Sequence, residues 1–240
     1  MSETTTPSAP RLRRSGIVLL IGTFLGAPIE GLLLLAAAGT IDLPRAWLFV
    51  AVSFVAMFGQ ITLVAIRNPE LVNHRGRWKK KKDTKPWDKP LVSIFGLLAF
   101  YVTPIVMGLD LGRYYWTAPG PWSTVLGIAL FALGTIILTW AMLVNTHFET
   151  TVRIQRDRAH RVVTKGPYRI VRHPGYVGAA LWSIAGPLTG GSLVALVPAA
   201  LAVLILVIRT SLEDQTLQRE LPGYADYTQQ VPHRLLPGLW

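Results

Sequence analysis

Two stretches in the last third of the chain gather side chains able to do chemistry. The first reads His160-Arg161-Val162-Val163-Thr164-Lys165-Gly166-Pro167-Tyr168, followed by Arg172-His173-Pro174-Gly175-Tyr176. Gly166-Pro167 and His173-Pro174-Gly175 break regular structure. Irregular backbone at a membrane surface leaves N–H and C=O groups free for a polar ligand. Tyr168 and Tyr176 can stack on, or hydrogen-bond, a ring or sugar. If His173 and Pro174 open a helix, its free N–H groups and partial positive charge suit a carboxylate or another anion; the same breakers would serve a loop that merely caps a helix. The second stretch places Arg209 and Glu213 at i, i+4, on one face of a helix, with Asp214 beside them and Tyr224, Tyr227, Pro232 and Pro237 beyond. An acid there can take an ammonium, hydroxyls or a sulfonium. An arginine can orient a carboxylate or phosphate through its fork. The same spacing also suits an ordinary ion pair.

The elements that must hold these residues are membrane spans. Charged residues make up 15% of the 240, against 51% hydrophobic, where a soluble domain carries about 25% charged. A helix needs about 20 apolar residues to cross a bilayer. Six apolar segments can be marked: Ile17 to Ala38, Ala46 to Ile66, Leu91 to Leu109, Trp122 to Val144, a short one from Tyr176 to Leu188, and Leu193 to Ile208. Gly186, Pro187, Gly190 and Gly191 favour a reversal between the last two. The expected fold is an all-α polytopic membrane protein of five to six transmembrane helices, the last two a hairpin. Residues 1–144 would form the N-terminal spans with a basic loop at 67–90, and residues 145–240 the ligand-binding region. Pro104 and Pro198 are expected to kink their helices. Trp47, Trp87, Trp116, Trp122 and Trp240 fall near the interfaces. Glu30 sits within the first span, where a carboxylate is a functional candidate or pairs with a neighbouring helix.

Of the 24 Lys and Arg, 22 lie before the first span, in 67–90, in 145–172 and in the tail from Arg209 onward, leaving only Arg45 and Arg113. This skew places both termini on the cytoplasmic side of the inner (plasma) membrane. The +11 net charge then reflects positive-inside loops, the Lys79 to Lys82 run among them, rather than nucleic-acid binding. With no cysteine, thiolate nucleophiles, disulfides and Cys-held metals are excluded. No metal site is expected. The polar first ten residues followed by Arg11, Arg13 and Arg14 show no small-residue cleavage site, so the first apolar run reads as a retained span.

Gly166-Pro167-Tyr168, Arg172-His173-Pro174, Tyr176, Gly178, the apolar hairpin, Glu213-Asp214 and Tyr224, Tyr227, Val231-Pro232 and Pro237 resemble the isoprenylcysteine carboxyl methyltransferase and phospholipid methyltransferase superfamily. Asn68-Pro69-Glu70-Leu71, Arg75-Gly76, Trp87-Asp88-Lys89, Asn145, Phe148 and Val152-Arg153-Ile154-Gln155 resemble its bacterial isoprenylcysteine branch. Leu221-Pro222-Gly223-Tyr224 departs from the family's usual tail. The resemblance implies a membrane enzyme using S-adenosyl-L-methionine from the cytoplasm and methylating a lipid-like acceptor admitted from the bilayer. Carried over, the cofactor site would comprise Gln155, His160, Arg161, Val162, Val163, Tyr168, His173, Pro174, Gly175, Tyr176 and Glu213. Arg209 would address the acceptor, and Glu30 is a further acceptor-side candidate. Transfer would be direct and in line. A carboxylate acceptor is ionised near pH 7 and needs no base, whereas an amine would need one, for which Glu30, His173 and Glu213 are available. The rival readings are a phospholipid N-methyltransferase, an NADPH-dependent reductase of the sterol-reductase type with its similar Arg-His-Pro-x-Tyr element, and a non-catalytic lipid-binding scaffold.

Overall fold

A computed structural model describes residues 11–240; the polar segment read at 1–10 lies outside that range. The described chain is all-helical, without strands among the described residues. Its eight α-helices are α1 (Arg14–Ala38), α2 (Pro44–Arg67), α3 (Pro69–Arg75), α4 (Asp88–Tyr114), α5 (Pro121–Val144), α6 (Pro174–Gly190), α7 (Leu196–Glu220) and α8 (Tyr224–Gln230).

Proline and glycine set most of the helix limits. Pro44, Pro69, Pro121 and Pro174 each occupy the first position of their helix, where an N–H would have no partner anyway. Gly39 and Gly191 close α1 and α6 in the left-handed conformation, at φ 73° and 87°, the usual helix stop. Pro198 falls in the first turn of α7 and therefore does not kink it, contrary to the sequence expectation. Pro104 does disturb α4. A π-helical turn at Leu98–Val102 precedes it, and the Thr103 hydroxyl donates to the Leu98 carbonyl at 2.8 Å, one of the ways a proline-bearing helix recovers lost backbone bonds.

Five helices, α1, α2, α4, α5 and α7, are long and apolar enough to cross a membrane. Their outward faces are greasy: Leu32, Val55 and Val125 are 68%, 72% and 69% exposed. Apolar surface on this scale needs lipid rather than water as its solvent. Trp47, Trp116 and Trp122 are exposed near helix ends, as belts at a bilayer interface require. The chain is a multi-pass membrane protein.

The short α6 has 17 residues, about 25 Å at 1.5 Å per residue. It nevertheless runs the depth of the bundle, antiparallel to α5. Gly175 at its start lies against Phe148, while Thr189 near its end accepts from the Thr124 hydroxyl at 3.2 Å. A Cβ added at Gly134 would meet the Gly178 carbonyl at 2.8 Å, and one at Gly178 would meet the Gly134 carbonyl at 2.7 Å. Only hydrogen fits there, which is how helices pack closely without a hydrophobic drive. The α6–α7 turn is pinned by buried Asp110, which accepts from Ser192 at 2.6 Å, while the Leu193 N–H donates to Thr117 at 2.9 Å. The expected hairpin is α6–α7. At the other end the basic segments meet: the Arg13 N–H donates to Asn73 at 2.7 Å, the Lys85 N–H to the Val152 carbonyl at 3.0 Å, and Lys85 pairs with Glu220 at 2.6 Å.

Candidate active site

The segment from Asn145 to His173 crosses the basic end and is held by side chains rather than by regular structure. Asn145 accepts from the His147 N–H at 2.8 Å and donates to the Tyr168 hydroxyl at 3.0 Å. Gly166 sits at φ 58° with the Trp140 indole nitrogen 2.9 Å from where a Cβ would stand. A left-handed backbone under an aromatic ring leaves glycine as the fitting residue. Arg153 is buried and bridges Glu149, Asp83 and Asp157, each at 2.8 Å. Burial alone would raise the Glu149 carboxyl, but its hydrogen bonds to Arg153 and the charges of Arg153 and Lys81 outweigh it and hold it below the usual range.

Asp214, fully buried on α7, locks the Arg-His-Pro turn to the tail. It accepts two bonds from Arg172 at 2.8 and 3.0 Å, one from Arg234 at 2.9 Å and one from Tyr224 at 3.1 Å, and lies 3.2 Å from His173 Nε2. Arg172 also reaches the Val231 and Pro232 carbonyls at 2.8 Å, and the His173 N–H donates to the Arg234 carbonyl at 3.0 Å. A fully satisfied buried network of this kind fixes one arrangement.

Arg209 and Glu213 do share a face of α7, but they do not pair with each other. Arg209 forks onto Asp88 at 2.6 and 3.2 Å and donates to the Thr150 carbonyl at 2.7 Å. Its guanidinium stands 5.3 Å from the centre of the Tyr176 ring. Glu213 instead accepts the Tyr176 hydroxyl at 2.5 Å. Among the described residues Glu213 has no cationic partner, and Arg209 Nη1 has no acceptor. The fork and the acid are thus held with binding capacity unspent. Asp88 was missed as a site residue because its partner lies 121 residues away. The signals were a carboxylate opening an apolar run and the Trp87-Asp88-Lys89 match to the bacterial branch, neither of which names a partner.

Arg209, Tyr176 and Glu213 line one continuous cavity of about 430 Å³. Its polar end carries Gln155, His160, Arg161, Val162, Val163, Tyr168, His173, Gly175, Tyr176 and Glu213, with Arg209 beside them. From there it descends between the helices past Phe95, Phe100, Phe131 and Trp182 to Glu30 and Ser53. Every expected site residue except Pro174 is on this wall; Pro174 is buried and opens α6. Gln155 has its amide largely engaged. Its oxygen accepts from Arg158 at 2.9 Å and faces His147 Nδ1 at 3.2 Å, while its nitrogen donates to the His147 carbonyl at 2.6 Å. Burial, aided by the charges of His147 and Arg153, lowers His160 to about 4, so it is a neutral ring near pH 7. Burial pushes the Tyr168 hydroxyl upward despite Asn145, which keeps it a phenol. Arg75, also on the wall, donates to the Phe148 carbonyl at 3.1 Å and was not foreseen in this role.

Residues 126–219 match the model of the isoprenylcysteine carboxyl methyltransferase family. The resemblance read from the motifs therefore holds, over a stretch that includes the Arg-His-Pro turn, Arg209 and both acids but neither Asp88 nor Glu30. The chain is 28% identical over 141 residues, 55% of its length and 66% of the relative's, to protein-S-isoprenylcysteine O-methyltransferase B of Arabidopsis thaliana. It is 36% identical over 64 residues to protein-S-isoprenylcysteine O-methyltransferase of Xenopus laevis, covering 26% of this chain and 22% of that one. It is 34% identical over 127 residues to methanethiol S-methyltransferase of a Pseudomonas strain, covering 48% and 47%. The chain thus spans between about a fifth and two thirds of the length of these relatives.

Proposed function

We propose that this protein is a membrane-embedded, S-adenosylmethionine-dependent methyltransferase whose acceptor is a lipophilic molecule methylated on a carboxyl group. The observation that carries this reading is the single cavity, polar and acidic at the basic end, apolar through the bundle, with Arg209, Tyr176 and Glu213 where the two parts join. A donor entering from one side and a lipid from the other would meet there. The donor set fits the cofactor. Glu213 is a carboxylate without a cationic partner among the described residues, suited to an ammonium, a sulfonium or ribose hydroxyls, and Tyr168, Tyr176 and His160 supply rings and neutral polar groups. When bound, the cofactor supplies an electrophilic methyl group.

The chain's own residues position and desolvate. Asp88 and the Thr150 carbonyl hold the Arg209 fork still, so its remaining N–H groups can receive the acceptor without reorganising. Alignment of two bound reactants contributes several kcal/mol, up to about 7–11 in ideal cases. The apolar wall excludes water from the reacting atoms. A carboxylate nucleophile needs no proton removed near pH 7, so no base is required of Glu213 or His173. The termini and basic loops would face the cytoplasm, where the cofactor is made.

The name of the Pseudomonas relative raises a small thiol as a second acceptor class. The apolar depth of the cavity favours a lipid instead. The test is to incubate purified protein with methyl-labelled S-adenosylmethionine and a membrane lipid extract, and identify what gains label. Base-labile label in a lipid acid is expected. Label appearing in methanethiol but in no lipid would overturn the lipid reading, and binding of NADPH without S-adenosylhomocysteine would overturn the whole assignment.

A further inference from the structure

The deep end of the cavity is not purely apolar. Glu30, on α1, is 6% exposed, and Ser53, on α2, is 1% exposed; both line the cavity wall. Glu30 Oε1 and Ser53 Oγ are enclosed and have no hydrogen-bond partner among the described residues. The orphaned serine goes against the local habit. Thr23, Thr135, Ser183 and Thr210 all donate to the carbonyl four residues before them at 2.7 to 3.0 Å, the usual way a helix in lipid settles a hydroxyl. Ser53 has Phe49 at the same spacing and does not do so. Enclosed polar groups left unpaired carry an uncompensated desolvation penalty; α1 and α2 touch at this level, where a Cβ on Gly31 would meet Val50 at 2.6 Å, so one partner inside the cavity can relieve both groups.

Both residues lie far from the reacting end. A Cβ on Gly108 of α4 would meet the Leu34 carbonyl of α1, so these two helices run side by side and Glu30 stands near the level of Thr103. Fifteen residues of α4 separate Asp88 from Thr103, about 22 Å at 1.5 Å per residue. A group held by Glu30 and Ser53 is therefore at the far end of a long chain whose head is at Arg209. The chemistry of the pair selects it. A hydroxyl can donate to the Glu30 oxygen while accepting from the Ser53 hydroxyl. A tail ammonium would satisfy the same oxygens, but it would have to cross hydrocarbon as an ion.

We infer that Glu30 and Ser53 form a tail subsite that selects acceptors bearing a hydroxyl at the end of the chain remote from the methylated head. This rests on the reading of the cavity as the acceptor's channel. The test uses the full chain in lipid nanodiscs with two probes, palmitic acid and its ω-hydroxy counterpart, measuring direct binding and methyl transfer separately. The hydroxylated probe is expected to bind about tenfold tighter to the wild type, the worth of one good hydrogen bond. That preference should vanish in Ser53→Ala and in Glu30→Leu, with S-adenosylhomocysteine binding unchanged in both. Equal binding of the two probes, as when water already serves the pair, overturns the subsite. So does binding of neither, or a preference that survives in Ser53→Ala, the variant least able to disturb folding. Discrimination in binding with no methylation of either probe upholds the subsite and counts instead against the proposed function.

Discussion

Glu213 and Asp214 are neighbours in sequence, yet their surroundings assign them different work. Asp214 is spent on Arg172, Arg234, Tyr224 and His173, while Glu213 answers only to the Tyr176 hydroxyl. Asp214→Asn leaves two arginines short of a counter-charge, and breaking a buried pair costs about 3–5 kcal/mol. It should lower the unfolding midpoint of the detergent-solubilised protein sharply. Glu213→Gln should leave that midpoint nearly in place but weaken S-adenosylhomocysteine binding about tenfold or more, as loss of a charged hydrogen bond does. Equal thermal losses in both variants would contradict the division. Arg209→Lys keeps the charge but cannot fork onto Asp88. A turnover loss of about a hundredfold is expected, the usual cost of misplacing a reacting group by an ångström, with cofactor binding retained.

Protonation acts on stability at the same end of the molecule. His160 and His74 are both lowered to about 4, mainly by burial. Between that value and the ordinary 6.5 the unfolded chain binds the more protons, so stability rises with pH across the window and is lost as pH falls from 6.5 toward 4. Glu149, held low by Arg153 and Lys81, adds a loss of the same sign once pH drops below the ordinary carboxylate range. Unfolding midpoints measured from pH 7.5 to 4.5 should fall, and the fall should be shallower in His160→Gln and His74→Gln. An unchanged slope in both would mean these rings do not titrate as their burial implies.

Helix packing carries the next prediction. Gly178→Leu would drive a side chain into the Gly134 carbonyl and Leu138, and overpacking costs about 1–3 kcal/mol or more. Its expression and thermal stability should drop. Gly59→Ala, with nothing within 4 Å of the new methyl group, should be neutral or gain up to about 1 kcal/mol from helix propensity. The spans themselves were legible because apolar length is a local property of sequence. The Arg-His-Pro turn and the acids on α7 were legible because breakers and charges stand out against such runs. Arg209's partner was not legible. The i, i+4 rule sees only Glu213, and the pairing with Asp88 exists because α4 and α7 emerge side by side. Pro198 was misread for a related reason. A proline kinks a helix only from its interior, and the start of α7 three residues later than the apolar run suggests places it in the first turn.

At the scale of the whole molecule, the two halves of the cavity belong to different parts of the chain. The polar half is built by the basic-end segment, the start of α6 and the end of α7, and the apolar half by α1, α2, α4 and α5 with the rest of α6. They should therefore fail separately. Gly96 lines the apolar half and has nothing within 4 Å of an added Cβ, so Gly96→Trp can place an indole in the channel without first displacing a neighbour. Titration with S-adenosylhomocysteine should give the wild-type affinity, while transfer to a long-chain acceptor should be lost and a short-chain acid of the same head group should keep measurable turnover. A parallel loss of cofactor affinity would mean the channel and the polar pocket are one site that collapses together, and the meeting of a soluble donor with a membrane-borne acceptor would need another route.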